Sequence, residues 1–252
     1  MSAGLHPAGV MMALIARRSR GMKKAPVGVT YTVSGQRIVL CGDDRVYPPS
    51  EDSLLLASGL GRMELRGRKV LELGTGAGLA GILCALRGAE VVCTDINPHA
   101  ARLARKNAKK NGVGARVEVV MTNLFDGISG RFDLVLFNPP HLPTEEDDLT
   151  QDPWLDASVC GGPDGLEVAR RFLGGLPAHL AMGGRGLLVL SLRPGAAPPP
   201  APGLGMRKLR SHRLDFEELA LFEVRADVRP SRRAGRGDQQ RPVVSRVHRR
   251  ER

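Results

Sequence analysis

Short apolar runs alternate with segments of helical periodicity through the middle of the chain, and this alternation is what most constrains the fold. Strands joined by helices at such spacing are typical of a parallel, doubly wound sheet. The pattern therefore predicts an α/β, Rossmann-like architecture. The predicted strands are 69–73, 90–95, 116–121, 132–137 and 186–192, and the predicted helices are about 78–87, 98–111 and 164–175.

The two ends of this region predict departures from a purely parallel sheet. Two further strands, near 206–213 and 217–226, are separated by too few residues for a crossover, so one of them is expected to run antiparallel. Upstream, 29–33 and 37–40 flank a Ser-Gly pair and predict a β-hairpin. The full prediction is a seven-stranded, mostly parallel sheet with one antiparallel strand, preceded by a short N-terminal β-hairpin.

Two connecting segments are also informative. Ser50, followed by two acids, is predicted to cap a short helix that extends to about Leu60. The run Pro198-Pro199-Pro200 lies where a crossover helix would be expected, and proline disfavours a helix there. An extended connection is predicted instead.

The formal net charge of +11 is concentrated at the two ends of the 252-residue chain. Residues 1–24 contain five Lys and Arg and no acid, and residues 229–252 contain nine Arg against two acids, so the segment between them is nearly neutral. We predict a basic N-terminal extension at 1–26, one domain at 27–228 and an Arg-rich tail at 229–252. Both ends are expected to be disordered, or alternatively to contact RNA through salt-dependent attraction to phosphates.

Cysteine usage and hydropathy favour a cytosolic location. The four cysteines form no C-x-x-C pair and the six histidines are isolated, so reduced thiols and no metal site are predicted. The apolar run at 11–16 is too short to span a bilayer and its charges follow it, which excludes a secretory signal. We expect a soluble, cytoplasmic protein without a membrane partner, whose translation starts at Met1 or at Met22.

A glycine-rich turn after the first parallel strand indicates a nucleotide-like ligand. Gly74-Thr75-Gly76-Ala77-Gly78 follows strand 69–73 and precedes an apolar helix, so the backbone can approach a ligand closely. Asp95 ends the next strand, where a carboxylate can accept hydrogen bonds from ribose hydroxyls. Tight helix–strand packing alone would also explain the glycines, but together with Asp95 they favour a cofactor that contains a nucleoside.

The acid before this loop distinguishes between cofactors. The loop is G-x-G-x-G rather than G-x-G-x-x-G, and Glu72 stands directly before it, where it would repel a pyrophosphate. A cationic amino-acid group would instead be stabilised there. Glu72 therefore favours S-adenosylmethionine over NAD, the alternative being a solvated or helix-capping acid.

Asn138-Pro139-Pro140-His141 directly follows the apolar strand 132–137. Proline fixes φ and donates no N–H, so the Pro139 carbonyl is held at the edge of the sheet beside the Asn138 side chain. Two acceptors can then bind one planar –NH2 group, which suits chemistry on an amide or amine nitrogen. The alternative is a strand that simply ends in a proline-rich turn.

These motifs together resemble those of the class I S-adenosylmethionine-dependent methyltransferases. Val46-Tyr47-Pro48-Pro49-Ser50-Glu51-Asp52-Ser53 before them and Gly161-Gly162-Pro163-Asp164-Gly165 after them resemble, more narrowly, the HemK family. The resemblance extends over about 27–226 and is to the short form found in archaea and eukaryotes. It implies N5-methylation of the glutamine in the Gly-Gly-Gln loop of polypeptide chain release factors, and a small zinc-binding activator subunit as a partner.

The resemblance also implies roles for single residues. It assigns the motif Asn138, Pro139, Pro140 and His141 to catalysis, with Asn138 also beside the cofactor. At the fourth position the family usually has Tyr, so His141 is a departure, as is Asn123 where many members have Asp. The residues implied to bind the cofactor are Ser53, Glu72, Gly74, Gly76, Asp95, Asn123 and Leu124.

N-methylation of an exocyclic amine in rRNA, tRNA or DNA is the chief alternative, because the same two acceptors fit a base amine. Enzymes that methylate a base normally hold it between stacking aromatic side chains. The loop after the motif has one large aromatic residue, Trp154, and little other aromatic material, which gives weak support for a base. The acids Glu145-Glu146-Asp147-Asp148 in that loop should repel phosphates and favour a cationic protein surface, unless the loop is merely solvated. A cofactor-binding module without catalysis is a third possibility, against which the intact Asn-Pro-Pro argues.

Overall fold

The structure is a computed structural model, and it describes residues 28–227 except 62, 145–148, 150–151, 194 and 215–216. Both predicted basic ends, the alternative start at Met22 and the acidic run 145–148 lie outside the described residues. No helix in the described part of the chain is long and apolar enough to cross a membrane.

The N-terminal hairpin is confirmed. Strands β1 (Val29–Val33) and β2 (Gln36–Leu40) pair antiparallel as a two-stranded sheet. Ser34 and Gly35 both have positive φ, at 48° and 81°, which is the conformation that a tight two-residue hairpin turn requires. The hairpin is tied to the main domain by Asn111, whose side chain bonds the backbone N–H and C=O of Val39.

The predicted seven-stranded sheet is confirmed, in the order β5-β4-β3-β6-β7-β9-β8. Neighbouring strands from β5 to β7 are parallel, and β9 runs antiparallel to both of its neighbours. The strands are β3 (Lys69–Leu73), β4 (Glu90–Asp95), β5 (Val117–Met121), β6 (Phe132–Phe137), β7 (Leu180–Leu192), β8 (Leu204–Arg213) and β9 (Glu218–Ala226).

Helices cover both faces of this sheet. Two apolar clusters result, one beneath the first three helices and one beneath the last helix, so the inner strands β3, β6, β7 and β9 bury side chains on both sides. This double burial explains why the parallel strands read as continuous apolar runs. The helices are α1 (Glu51–Gly59), α2 (Leu79–Leu86), α3 (Pro98–Lys110), α4 (Pro153–Val159) and α5 (Glu167–His179), with a 3-10 turn at Gly114–Arg116.

Several boundaries differ from the prediction. Strand β7 begins at Leu180 rather than 186, because a glycine-containing irregular stretch, 181–185, continues its pairing with β6 through a register shift. Helix α4 was not predicted, since it lies in a polar loop and is only seven residues long. Ser50 occupies the N-cap position of α1 but makes no capping bond; its hydroxyl donates to Asp52 instead.

Candidate active site

The predicted site segments meet at one edge of the sheet. Strands β4, β3 and β6 are adjacent and parallel, so the residues that follow their carboxyl ends are neighbours. These segments are the glycine loop 74–78, the Asp95 turn and the Asn138 motif. This is the edge at which open α/β sheets bind ligands.

The glycine loop is shaped by positive φ angles that other residues rarely adopt. Gly76 has a φ of 53°, and a Cβ added there would meet nothing within 4 Å, so its backbone borders open space. Its N–H donates to Asp95 Oδ2 at 2.8 Å, which ties the loop to the end of the neighbouring strand. The loop therefore presents bare backbone beside a carboxylate, as close approach of a ligand requires.

Asp95 is held by main-chain donors and is 9% exposed. Besides the bond from Gly76, its Oδ1 accepts from Asn97 N at 2.9 Å, and burial raises the pKa of its carboxyl despite these bonds. A carboxylate offers about four lone-pair positions, so acceptor capacity remains for ribose hydroxyls. The predicted position of Asp95 next to the glycine loop is confirmed, while its role in binding ribose stays a prediction.

Glu72 is almost fully buried, at 4% exposure, and its side chain turns towards α2. Its Oε2 accepts from Thr75 Oγ1 at 2.5 Å, from Gly81 N at 3.0 Å and from Cys93 Sγ at 3.5 Å. Burial nevertheless raises the pKa of Glu72 to about 7, because none of these neighbours carries a positive charge. A cation bound nearby would favour its ionised form.

The segment expected to bracket an adenine begins beside Asp95. Thr122 N donates to Asp95 O at 3.0 Å, which continues the β4–β5 pairing by one residue. Leu124 has a φ of 51°, an unfavourable conformation for a branched residue. Such strained positions cluster at ligand sites, and both Asn123 and Leu124 are half-buried at the end of β5.

Asn138 is anchored through one end of its side-chain amide. Nδ2 donates to Asp52 Oδ2 at 2.9 Å, a contact between residues 86 positions apart in the sequence. Oδ1 is buried and, among the described residues, is the one buried side-chain polar atom without a hydrogen-bond partner. The acceptor predicted at this position thus has its hydrogen-bonding capacity unused.

The second predicted acceptor, the Pro139 carbonyl, lies 3.1 Å from His141 Nδ1. Because a carbonyl oxygen can only accept, Nδ1 must carry a proton, and the carbonyl keeps a second lone pair. Pro139 is buried and Pro140 and His141 are half-buried. A Cβ at Gly161 would approach Pro140 O to 2.8 Å, so the Gly-Gly-Pro-Asp-Gly segment packs directly on this turn.

Three residues of the site were missed by the sequence reasoning: Asp52, Thr75 and Cys93. The sequence marks Asp52 as an acid in the first turn of a helix and as part of the motif that resembles the HemK family, but its partner is too distant in sequence to be inferred. Cys93 faces Glu72 because the two are paired in the β3–β4 register. Ser53, predicted to contact the cofactor, donates from Oγ to Asp52 at 3.3 Å and is half-buried.

The residues present fit S-adenosylmethionine. Gly76 leaves room for close approach, Asp95 keeps acceptor capacity, and Glu72 is an acid without a cationic partner in the described part of the chain. With a sheet whose one antiparallel strand lies next to the edge, these features define the class I methyltransferase fold. The profile of the methyltransferase small domain matches residues 50–155.

The curated relatives narrow this class. A Methanocaldococcus jannaschii protein, provisionally named a protein N5-glutamine methyltransferase, is 45% identical over 55% of this chain and 68% of its own length. Mouse methyltransferase HEMK2 is 37% identical over 58% of this chain and 70% of its own. A Deinococcus radiodurans release factor glutamine methyltransferase is 42% identical over 52% of this chain. Only 47% of that bacterial relative's length is matched.

Solved structures support the fold. The T. thermophilus 16S rRNA N2 G1207 methyltransferase RsmC, solved with AdoMet and guanosine, superimposes with a TM-score of 0.56 at 23% identity. The match covers 80% of this chain and 50% of that one. The chain belongs to the HemK family of methyltransferases, and its cofactor is S-adenosylmethionine.

Proposed function

We propose that this enzyme methylates N5 of a glutamine side chain in a polypeptide chain release factor, at its Gly-Gly-Gln loop. The observation that carries the proposal is the buried Asn138 Oδ1, which has no hydrogen-bond partner among the described residues, on the residue directly before the Pro139 carbonyl. Two acceptors on consecutive residues can match the two N–H bonds of a primary amide. The names of the relatives, protein N5-glutamine methyltransferase and release factor glutamine methyltransferase, support the same substrate.

S-adenosylmethionine supplies an activated methyl group on a sulfonium. The task of the chain is to align the acceptor nitrogen with that methyl group. A glutamine amide nitrogen is a poor nucleophile because its lone pair is delocalised into the carbonyl. If Asn138 Oδ1 and Pro139 O each accept one N–H, the nitrogen is fixed in position and its lone pair is directed at the methyl carbon.

The same two acceptors stabilise the reaction as it proceeds. The nitrogen gains positive charge while the methyl group is transferred, so hydrogen bonds that it donates become stronger in the transition state. Interactions that strengthen in this way accelerate the chemical step rather than only tightening binding. No base is needed before transfer, because the nitrogen can release a proton to solvent afterwards.

Labelled methyl transfer distinguishes the proposed substrate from the nucleic-acid alternative. Purified release factor, rRNA and tRNA are incubated separately with the enzyme and labelled S-adenosylmethionine. We expect label in the release factor, lost when its Gly-Gly-Gln glutamine is replaced by alanine. Label in RNA alone would overturn the proposal and establish base N-methylation instead.

We further propose a cytoplasmic enzyme that works with a small zinc-binding activator subunit. The edge strand β5 ends in Met121, which is 60% exposed, and Ile96, in the turn after β4, is 46% exposed, so this part of the surface carries apolar side chains that a subunit could cover. Co-purification of the activator with the enzyme, and a rise in turnover on its addition, are the expected results.

We also propose that the two basic ends, 1–26 and 229–252, contact RNA. We assign them as extensions of a single domain at 27–228. Their Arg-rich composition supports attraction to phosphates by counterion release. Deletion of both ends should weaken RNA binding at low salt. Unchanged binding after deletion would rule the contact out.

A further inference from the structure

Asp52 stands at the junction between the first helix of the domain and the Asn138 motif. One carboxylate oxygen, Oδ2, accepts the bond from Asn138 Nδ2 at 2.9 Å. The other, Oδ1, accepts from Ser50 Oγ at 2.7 Å and from Ser53 N at 2.6 Å. Both oxygens are therefore engaged, and the carboxylate cannot rotate without breaking a bond.

This arrangement determines which way the Asn138 amide points. An ionised carboxylate can only accept hydrogen bonds, so the –NH2 end of Asn138 must face it. A flipped amide would place two oxygens against each other and leave the –NH2 group in the buried position now held by Oδ1. Asp52 thus ensures that Asn138 presents an acceptor, and not a donor, towards a ligand.

Asp52 also remains charged. Burial disfavours its ionised form, but the bonds from Asn138 and Ser50 and the nearby His141 ring outweigh burial, so the pKa of Asp52 lies below its ordinary value. A carboxylate that accepts from an amide N–H draws electron density towards the far oxygen of that amide, because hydrogen bonds in series polarise one another. The Asn138 oxygen becomes a stronger acceptor in consequence.

We propose that Asp52 is a positioning residue for methyl transfer: through its bond to Asn138 it fixes the amide with the oxygen outward and polarises that oxygen towards the acceptor nitrogen. The inference rests on the proposed methylation of an –NH2 group. Asp52 is expected to affect turnover only through Asn138.

The alternative is that Asp52 merely stabilises the first turn of α1. An acid at a helix N-terminus interacts favourably with the helix dipole, and Asp52 is one of two acids there. The other, Glu51, is exposed and has the same relation to the helix end. Glu51→Gln is therefore a matched control that removes the dipole interaction without touching Asn138.

The test compares turnover, cofactor affinity and unfolding temperature for Asp52→Asn, Asp52→Ala and Glu51→Gln. Asp52→Asn keeps an oxygen that can accept from Asn138 but removes the charge, so kcat should fall about 10-fold, and about 100-fold in Asp52→Ala. The affinity for S-adenosylmethionine should stay within about twofold in Asp52→Asn, since the substitution keeps the size and shape of a side chain that is not itself assigned to the cofactor. Glu51→Gln should match the wild type in turnover and cofactor affinity, and the loss of the dipole interaction should lower its unfolding temperature only slightly.

A double-variant cycle separates positioning from a structural role. If Asp52 acts through Asn138, adding Asp52→Asn to Asn138→Ala lowers kcat no further, because the group being positioned is already gone. Two independent losses that multiply in the double variant would overturn the proposal. An unchanged kcat in Asp52→Asn would overturn it as well.

An NMR measurement that needs no substrate tests the role of Asp52 independently of which molecule the enzyme methylates. The side-chain amide protons of Asn138 should give NMR signals that are protected from exchange with water. These signals are identified by their loss in Asn138→Ala. The protection should disappear in Asp52→Ala but not in Glu51→Gln. Protection that survives in Asp52→Ala refutes the role of Asp52. If release factor is not methylated but another acceptor is, the kinetic comparison is repeated on that acceptor, and only the proposed substrate is abandoned.

Discussion

Glu72 and Glu223 are two buried carboxylates on the same sheet, at 4% and 5% exposure, yet their acidities are shifted in opposite directions. Burial raises the pKa of Glu72 to about 7, because its partners are neutral. Glu223, on β9, is bonded by Arg225, Arg207 and Arg185 at 2.9 to 3.0 Å, and these cations bring its pKa to about 2. Two carboxylates with similarly small exposure therefore differ in acidity, because Glu223 lies beneath partly exposed arginines whereas Glu72 is enclosed by neutral groups.

The difference separates a structural region from a functional one. At the β7–β9–β8 end of the sheet the chain satisfies its own buried charge. At the ligand edge, no cation among the described residues bonds Glu72 and none of their donors reaches Asn138 Oδ1. Groups left unsatisfied in this way cost stability, and they are the ones that a cationic cofactor and an –NH2 substrate would satisfy.

The largest expected effect is on the acceptor side of the ligand edge. Asn138→Ala should lower kcat by about 10² to 10³, the usual loss when one transition-state hydrogen bond is removed. Its affinity for the cofactor should stay near that of the wild type. Turnover by methyl transfer and affinity by calorimetry test both parts, and near-wild-type turnover would show that Asn138 is not the acceptor.

Asn138→Ala should change the stability of the protein much less than its turnover, and the unfolding temperature measures this. The change removes a bond to Asp52 but also a buried, unpartnered oxygen, so the two effects on stability oppose each other. We expect a change in the free energy of unfolding within about 1 kcal/mol. A variant that unfolds at the assay temperature would mean that Asn138 is needed for folding rather than for turnover.

The next effect is on cofactor affinity at Glu72. Glu72→Gln keeps an oxygen to accept from Thr75 and Gly81 but cannot ionise, so it should weaken S-adenosylmethionine binding at pH 8 by about 10- to 100-fold. Glu90→Gln is the matched control, because Glu90 begins the neighbouring strand, is 58% exposed and pairs with Arg116 at the surface. Equal affinities for the two variants would refute the electrostatic role of Glu72.

Glu72→Gln should weaken cofactor binding but should stabilise the cofactor-free protein at high pH. Its folded pKa of about 7 lies above the ordinary 4.5, so its contribution is fully present below pH 4.5 and is lost as the pH rises to about 7. At pH 8 the cofactor-free Glu72→Gln variant should therefore be more stable than the wild type, by about 1 to 3 kcal/mol. Denaturant unfolding at pH 5 and pH 8 measures this, and a variant less stable at both values would contradict it.

The smallest effect is expected at the structural end of the sheet. Glu223→Gln should lower the free energy of unfolding at neutral pH by about 1 kcal/mol, since its arginine partners are partly exposed and solvent screens them. Because the folded pKa is depressed, the difference from the wild type should vanish as the pH falls from about 4.5 to about 2. Cofactor affinity and kcat should not change, and a loss of either would link this region to the site.

The sequence was sufficient to predict the fold and the position of most site segments. Apolar runs and helical periodicity are local signals, and the parallel topology follows from their alternation, so the ends of β3, β4 and β6 were expected at one edge. The glycine loop and Asp95 were therefore placed together correctly, as their hydrogen bond shows.

Contacts between distant segments could not be predicted in the same way. The Asp52–Asn138 bond joins residues 86 apart and depends on how α1 packs against the sheet, which no local pattern records. The inward turn of Glu72 depends on Gly81 N and Cys93 beneath it. Helix α4 lies in a polar loop without periodicity, so its capping by Asp152 became apparent only in the structure.

A structure of the enzyme with S-adenosylhomocysteine and a release factor tests the central claim most directly. The claim predicts the Gly-Gly-Gln amide nitrogen about 2.7 to 3.2 Å from both Asn138 Oδ1 and Pro139 O. Asp52 should still accept from Asn138 Nδ2. A glutamine nitrogen that lies away from these oxygens, or an Asn138 amide turned with Nδ2 towards the substrate, would contradict it.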